Sequence, residues 1–167
     1  RQRQMCIRDR AAAGLFSINL ASLLAFSVWG LVMPGLVRRG WSSERLLRLG
    51  LPLVMTMLAI NIAMGSRADW PCWALLIILG SVVSLAQPAL SMTFPPALAG
   101  RALSAYNLVC FLGIFSMQWG VGLLVDAFKA QGWSEVTSFQ GAFAVSFACS
   151  LGSMFYYLRG RSDNLTP

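Results

Sequence analysis

The side chains able to do chemistry in this 167-residue chain are few, and most are uncharged amides and hydroxyls set inside apolar runs. Ser84, Gln87 and Ser91 fall at i, i+3 and i+7, so on a helix they share one face, beside Pro88 and the backbone carbonyl it frees. Asn107 and Gln118 lie eleven residues apart, about three helical turns, and share a face with Phe111 and Ile114. Asn19 and Ser22 are three apart on a third run. Such groups donate and accept hydrogen bonds, which suits a wall that handles a passing solute; the competing use is bonding between helices, worth about 0.6 kcal/mol on average. Covalent catalysis is poorly provided for. The chain contains no histidine, which removes Ser–His–Asp and Cys–His schemes, His-ligated metals and the usual proton shuttle. It also lacks GxSxG, GxGxxG and P-loop patterns. Cys6, Cys72, Cys110 and Cys149 are far apart with no CxxC spacing, so they read as packing residues rather than a disulfide framework or metal site. No cofactor is expected. Asp126 is the only carboxylate at the edge of an apolar run and reads as a solvated end residue rather than a proton relay.

Those polar groups need elements to carry them, and the composition says which. Hydrophobic residues make up 57% of the chain and charged residues 11%, with mean hydropathy +0.65; soluble domains run at about 45–50% and 25%. Five apolar runs, about 11–37, 46–65, 72–94, 102–127 and 139–158, each approach or exceed the roughly 20 residues that cross a bilayer as a helix. They are too long for strands, and a bilayer admits only helices or closed barrels, so the expected fold is an all-α integral membrane protein with five transmembrane helices. The net charge of +7 does not point to nucleic acid, because the basic residues sit between apolar runs and form no basic face with interleaved aromatics. Pro95 and Pro96 must break the chain after the third run, with Gly100–Arg101 expected as a flexible turn and cationic anchor. Pro88 should bend that third run, Ser42 or Ser43 should cap the second, and Trp70 should sit at an interface. Ala144, Ala148 and Gly152, at i, i+4 and i+8, are expected to pack closely against another helix.

Charge by side sets the expected orientation. Arg38, Arg39, Arg45, Arg48, Arg101, Arg159 and Arg161 fall on one side, and Arg67 and Lys129 on the other, so the first side and the C-terminus are expected in the cytoplasm. Residues 1–10, RQRQMCIRDR, share nothing in composition with the rest of the chain and resemble translated sequencing-adapter text, so they are expected to be a foreign leader. A signal-peptide head is the alternative, although the apolar run after it is longer than the roughly 7–15 residues of such a peptide's core. Residues 161–167 form a polar tail whose Asn164 sequon is discounted as cytoplasmic.

Two stretches repeat. Trp29-Gly30 precedes Gly40-Trp41-Ser42, and Trp119-Gly120 precedes Gly132-Trp133-Ser134, three spans apart. An odd offset makes successive copies run in opposite directions, the pattern of an inverted repeat between spans one–two and four–five, as found in secondary transporters. From about residue 11 to 160 the chain resembles the second half of a major facilitator superfamily transporter, helices eight to twelve. Gly30 takes the first glycine of that family's loop motif, and Arg38 and Arg39 its basic pair, while Pro34 and Gly35 stand where the family has Asp and Arg. The stretch from Phe94 to Ala102, with Arg101, resembles the loop between the tenth and eleventh helices. The resemblance implies a fragment of a bacterial inner-membrane secondary transporter that moves a small solute by alternating access. Its partners would be the lipid bilayer, the missing N-terminal half and the small-molecule substrate, with no nucleic acid and no enzymatic activity. Spans one, three and four would line the pathway. A membrane-embedded lipid-modifying transferase or a non-catalytic membrane subunit are the alternatives.

Overall fold

The computed structural model describes the backbone of residues 2–159 and the side chains of residues 12–159. The charged side chains of the leader, Arg161, the polar tail and its sequon lie outside the described residues. Helix α1 runs Gln2–Arg38, α2 Ser43–Met64, α3 Trp70–Gly80, α4 Ala86–Ser91, α5 Pro96–Ala130 and α6 Glu135–Arg159. No strand occurs among the described residues. Short 3-10 turns cover Gly65–Arg67 and Ser81–Leu85, and the second joins α3 to α4 so that Trp70–Ser91 is one span. Five helices are therefore long and apolar enough to cross a membrane.

The ends of the spans follow from local chemistry. Gly40 and Gly132 adopt φ of 81° and 85°, the left-handed region open to glycine. At the first, Gly40 N–H bonds Val37 C=O and Trp41 N–H bonds Leu36 C=O, both at 3.0 Å; at the second, Gly132 bonds Lys129 at 3.0 Å and Trp133 bonds Phe128 at 3.2 Å. Both corners are thus the same Schellman cap. The serine after each tryptophan caps the next helix: Ser42 Oγ accepts from Arg45 N–H and Ser134 Oγ from Thr137 N–H, each at 3.2 Å. At the second corner Phe128 stacks on Trp133 with centroids 4.6 Å apart, and Lys129 and Glu135 pair across the turn at 3.5 Å.

Pro88 distorts the third span, but upstream of itself. A proline ring clashes with the carbonyl four residues earlier, here Ser84, and the chain relaxes into the tighter turn Ser81–Leu85 before α4. Pro95 and Pro96 do interrupt the chain, between Ser91 and Pro96. The expected flexible turn at Gly100–Arg101 is overturned, because both residues lie inside α5. Pro96 at the first helical position needs no N–H partner and has its φ preset, so the helix starts at once and takes in the next residues.

Each short turn reverses direction, so the bundle has two ends. Arg38, Arg39, Arg45, Arg48 and Arg101 gather at the end where α1 finishes and α2 and α5 begin, with Arg67 and Lys129 at the other. Helix α1 packs on α3; α2 packs on α3, α4 and α6; α5 packs on α4 and α6. Gly50 makes the α2 crossing close, since a Cβ there would stand 2.8 Å from both Val82 methyls. Val82, Leu47 and Leu85 form the largest buried apolar cluster, with Trp29 and Met33 of α1 against it.

The packing face of α6 is not the expected one. Ala144, Ala148 and Gly152 are all exposed. The face turned inward carries Ser138, Ala142, Ser146 and Ser150, also four apart, with Ser138 and Ala142 fully covered. The serine hydroxyls bond back to their own helix at 2.8, 3.0 and 2.9 Å, so they can pack as small residues.

The accessible surface is 12104 Å², against about 8,100 Å² for a soluble monomer of this mass. The excess is apolar. On α5 every residue from Phe111 to Trp119 is exposed, because its first turns pack on α4 and its last on α6 with nothing between.

Candidate functional site

The clearest polar meeting point lies between α4 and α5. Gln87 stands in the first turn of α4, straight after the proline-induced 3-10 turn, and Asn107 about three turns into α5. The Gln87 Nε2 donates to Asn107 Oδ1 at 3.3 Å, and both side chains are exposed. Gln118, three turns further along α5, is exposed in the uncovered section and makes no hydrogen bond. Its neighbours on that face, Phe115 and Trp119, stack with centroids 6.4 Å apart.

The hydroxyls are otherwise engaged. Ser84 Oγ donates to Ser81 C=O at 2.7 Å and Ser91 Oγ to Pro88 C=O at 3.0 Å. On α1, Ser22 Oγ bonds Ile18 C=O at 3.0 Å and Asn19 Nδ2 bonds Leu15 C=O at 2.8 Å. Asn19 is exposed, whereas Ser22 is half-covered, and α1 leans on α3 rather than on α5. The structure therefore brings Gln87 and Asn107 together, and leaves Asn19, Ser22 and Gln118 outside that contact.

In the loop region, Gly30 is exposed with open space around it, and Arg38 Nε donates to the Pro34 carbonyl at 3.4 Å. Arg39 and Arg101 are exposed, and the Arg45 guanidinium stands 5.9 Å from the Trp41 ring. No three His, Cys, Asp or Glu side chains gather among the described residues. What the α4–α5 face can do chemically is hydrogen-bond and stack.

Two features escape a reading by spacing. Trp29 Nε1 donates to Ser81 Oγ at 2.8 Å, joining α1 to the third span, and Ser81 in turn donates to Ile78 C=O at 2.6 Å. The other is a cavity at the end away from the arginine cluster, lined by Asn61, Gln140 and aromatic rings. Asn61 lies at the apolar end of α2 with nothing in the pattern to mark it, although an amide inside a span is itself a signal of a buried role.

Comparison with protein-family models, with curated proteins and with solved structures gives no match. The spans and their polar groups are therefore the basis for a function.

Proposed function

We propose that this chain is part of a secondary transporter of the major facilitator type, moving a small polar solute across a bacterial inner membrane by alternating access. The observation that carries the reading is the exposed amide pair Gln87–Asn107, with the unbonded Gln118 further along α5. An amide facing hydrocarbon without a partner costs several kcal/mol, and polar groups in membrane spans face protein or a water-filled cavity. The α4–α5 face therefore belongs against further helices or an aqueous pathway, and the uncovered middle of α5 fits a helix central to a larger assembly. In this reading α1, the third span and α5 border the pathway, α2 and α6 brace it from outside, and the missing half covers the exposed face. The arginine-rich end is cytoplasmic, by the positive-inside rule. The two matching Gly-Trp-Ser corners support an inverted relation between spans one–two and four–five.

The test is uptake by the complete protein carrying Gln87→Ala or Gln118→Ala at matched expression. Loss of one solute hydrogen bond, about 1–1.5 kcal/mol, weakens apparent affinity about tenfold. Unchanged rate and affinity in both variants would exclude these amides as solute contacts.

A further inference from the structure

We infer that the ends of α2, α3 and α6 away from the arginine cluster form a binding site for a small organic ammonium ion. A cavity of about 320 Å³ opens between these helices, at the lower end of the size range of small-molecule sites. Asn61 lines it and is only 1% exposed. Its Nδ2 donates to Cys72 C=O at 3.2 Å, which fixes the amide's orientation, and its Oδ1 has no hydrogen-bond partner. A buried oxygen left without a donor costs about 1–3 kcal/mol, so this position calls for an N–H or O–H from something that enters the cavity.

The rest of the lining narrows the ligand. Gln140 is also held by its NH₂ end, which donates to Ile62 C=O at 2.8 Å. That amide lies against Gly65, where a Cβ would stand 2.5 Å from its nitrogen, so the glycine keeps the wall open to it. Both amides spend donors on the protein. Glu135 adds a carboxylate at the mouth, with 74% of its side chain exposed. Trp73, Phe139 and Phe143 supply the walls, with Trp73 and Phe143 centroids 5.7 Å apart and Phe139 and Phe143 6.4 Å apart.

A buried amide oxygen, a carboxylate at the entrance and aromatic faces all attract a cation that carries N–H donors. A neutral alcohol would satisfy Asn61 but leave the carboxylate and ring faces without their complement, and Glu135 repels an anion. The protein already shows this affinity in itself, since Lys129 Nζ stands 5.9 Å from the Phe139 ring centre and 3.5 Å from Glu135. An entering ammonium competes with Lys129 for Glu135. Arg67, on the adjoining turn, is exposed and lines none of the cavity. The site shares no residue with the α4–α5 face, so it stands whether or not the chain transports a solute.

The experiment titrates phenethylammonium into the full chain in detergent, followed by isothermal calorimetry, with 2-phenylethanol as the neutral counterpart of the same shape. The expected result is saturable binding of the ammonium, at least about tenfold weaker binding of the alcohol, and about tenfold weaker ammonium binding in Glu135→Gln. Asn61→Leu should abolish binding. Because that change could also disturb folding, Asn61→Asp is the companion, and a carboxylate at the same depth should tighten the complex. The proposal is overturned by the absence of saturation, as for a cavity that holds only water, by equal binding of the alcohol, or by unchanged binding in both Glu135→Gln and Asn61→Leu.

Discussion

Gly50 offers a test of the packing in which the two main effects have opposite signs. A methyl added there would stand 2.8 Å from both Val82 methyls and 3.2 Å from its Cβ, well inside the roughly 3.5–4.0 Å of an ordinary carbon contact. Val82 is 4% exposed and locked beside Leu47 and Leu85, so it has little room to yield. Overpacking of this kind costs about 1–3 kcal/mol. Replacing glycine by alanine within a helix returns about 1 kcal/mol of propensity, so Gly50→Ala should lose between about 0 and 2 kcal/mol. Gly122, inside α5, has nothing within 4 Å of where an added methyl would stand, so it isolates the propensity effect alone. The difference between the two alanine variants is then the overpacking itself, about 1–3 kcal/mol, or roughly 2–12 °C in melting temperature at about 2–4 °C per kcal/mol. Thermal unfolding in one detergent, followed by tryptophan fluorescence, measures it. Adding Val82→Ala to Gly50→Ala should recover part of the loss, because contacting sites are not additive. Equal shifts for Gly50→Ala and Gly122→Ala would refute the close crossing of α2 on the third span.

Two further outcomes can be read in the same melts. Trp29→Phe removes the bond to Ser81 and should cost about 0.6–1.7 kcal/mol, while Trp119→Phe, at a ring 62% exposed and stacked only on Phe115, should change stability little. Ala142→Leu, at a position 0% exposed, should cost about 1–3 kcal/mol, whereas Ala144→Leu on the outward face should stay within about 0.5 kcal/mol.

The existence of the five spans was legible because apolar length is a strong signal and a bilayer leaves the backbone few choices. Helix ends were legible where a residue's own chemistry decides them, as at Ser42 and at the Pro95–Pro96 break. Gly100–Arg101 misleads because glycine marks turns only statistically, and a proline at the first helical position overrides it. The face of α6 was illegible for a different reason. Two stripes of small residues run along it, and spacing alone cannot say which meets a neighbour. The serines of the inner stripe look polar in sequence, yet their hydroxyls close onto their own helix and leave a surface as small as alanine. Of the candidate pathway residues, spacing grouped those on one helix, but only the fold could join Gln87 to Asn107 across two.

The repeat shows how local and global signals separate. Gly40 and Gly132 build the same cap with the same hydrogen bonds, so the Gly-Trp-Ser match reflects a real structural equivalence at the two corners. The tryptophans upstream do not share it. Trp29 lies eleven residues before Gly40, and Trp119 thirteen before Gly132. Two extra residues in a helix turn a side chain by about 200°, which sends the second tryptophan to the opposite side of its helix once the corners are aligned. That is what the environments show: Trp29 is half-buried and bonded to Ser81, and Trp119 is exposed on the uncovered section of α5. The helix partners differ to match, with α1 resting on α3 and α5 on α6. A corner can recur on the strength of three residues because its cap is satisfied locally, whereas equivalence of whole spans requires the register between corner and packing face to be kept.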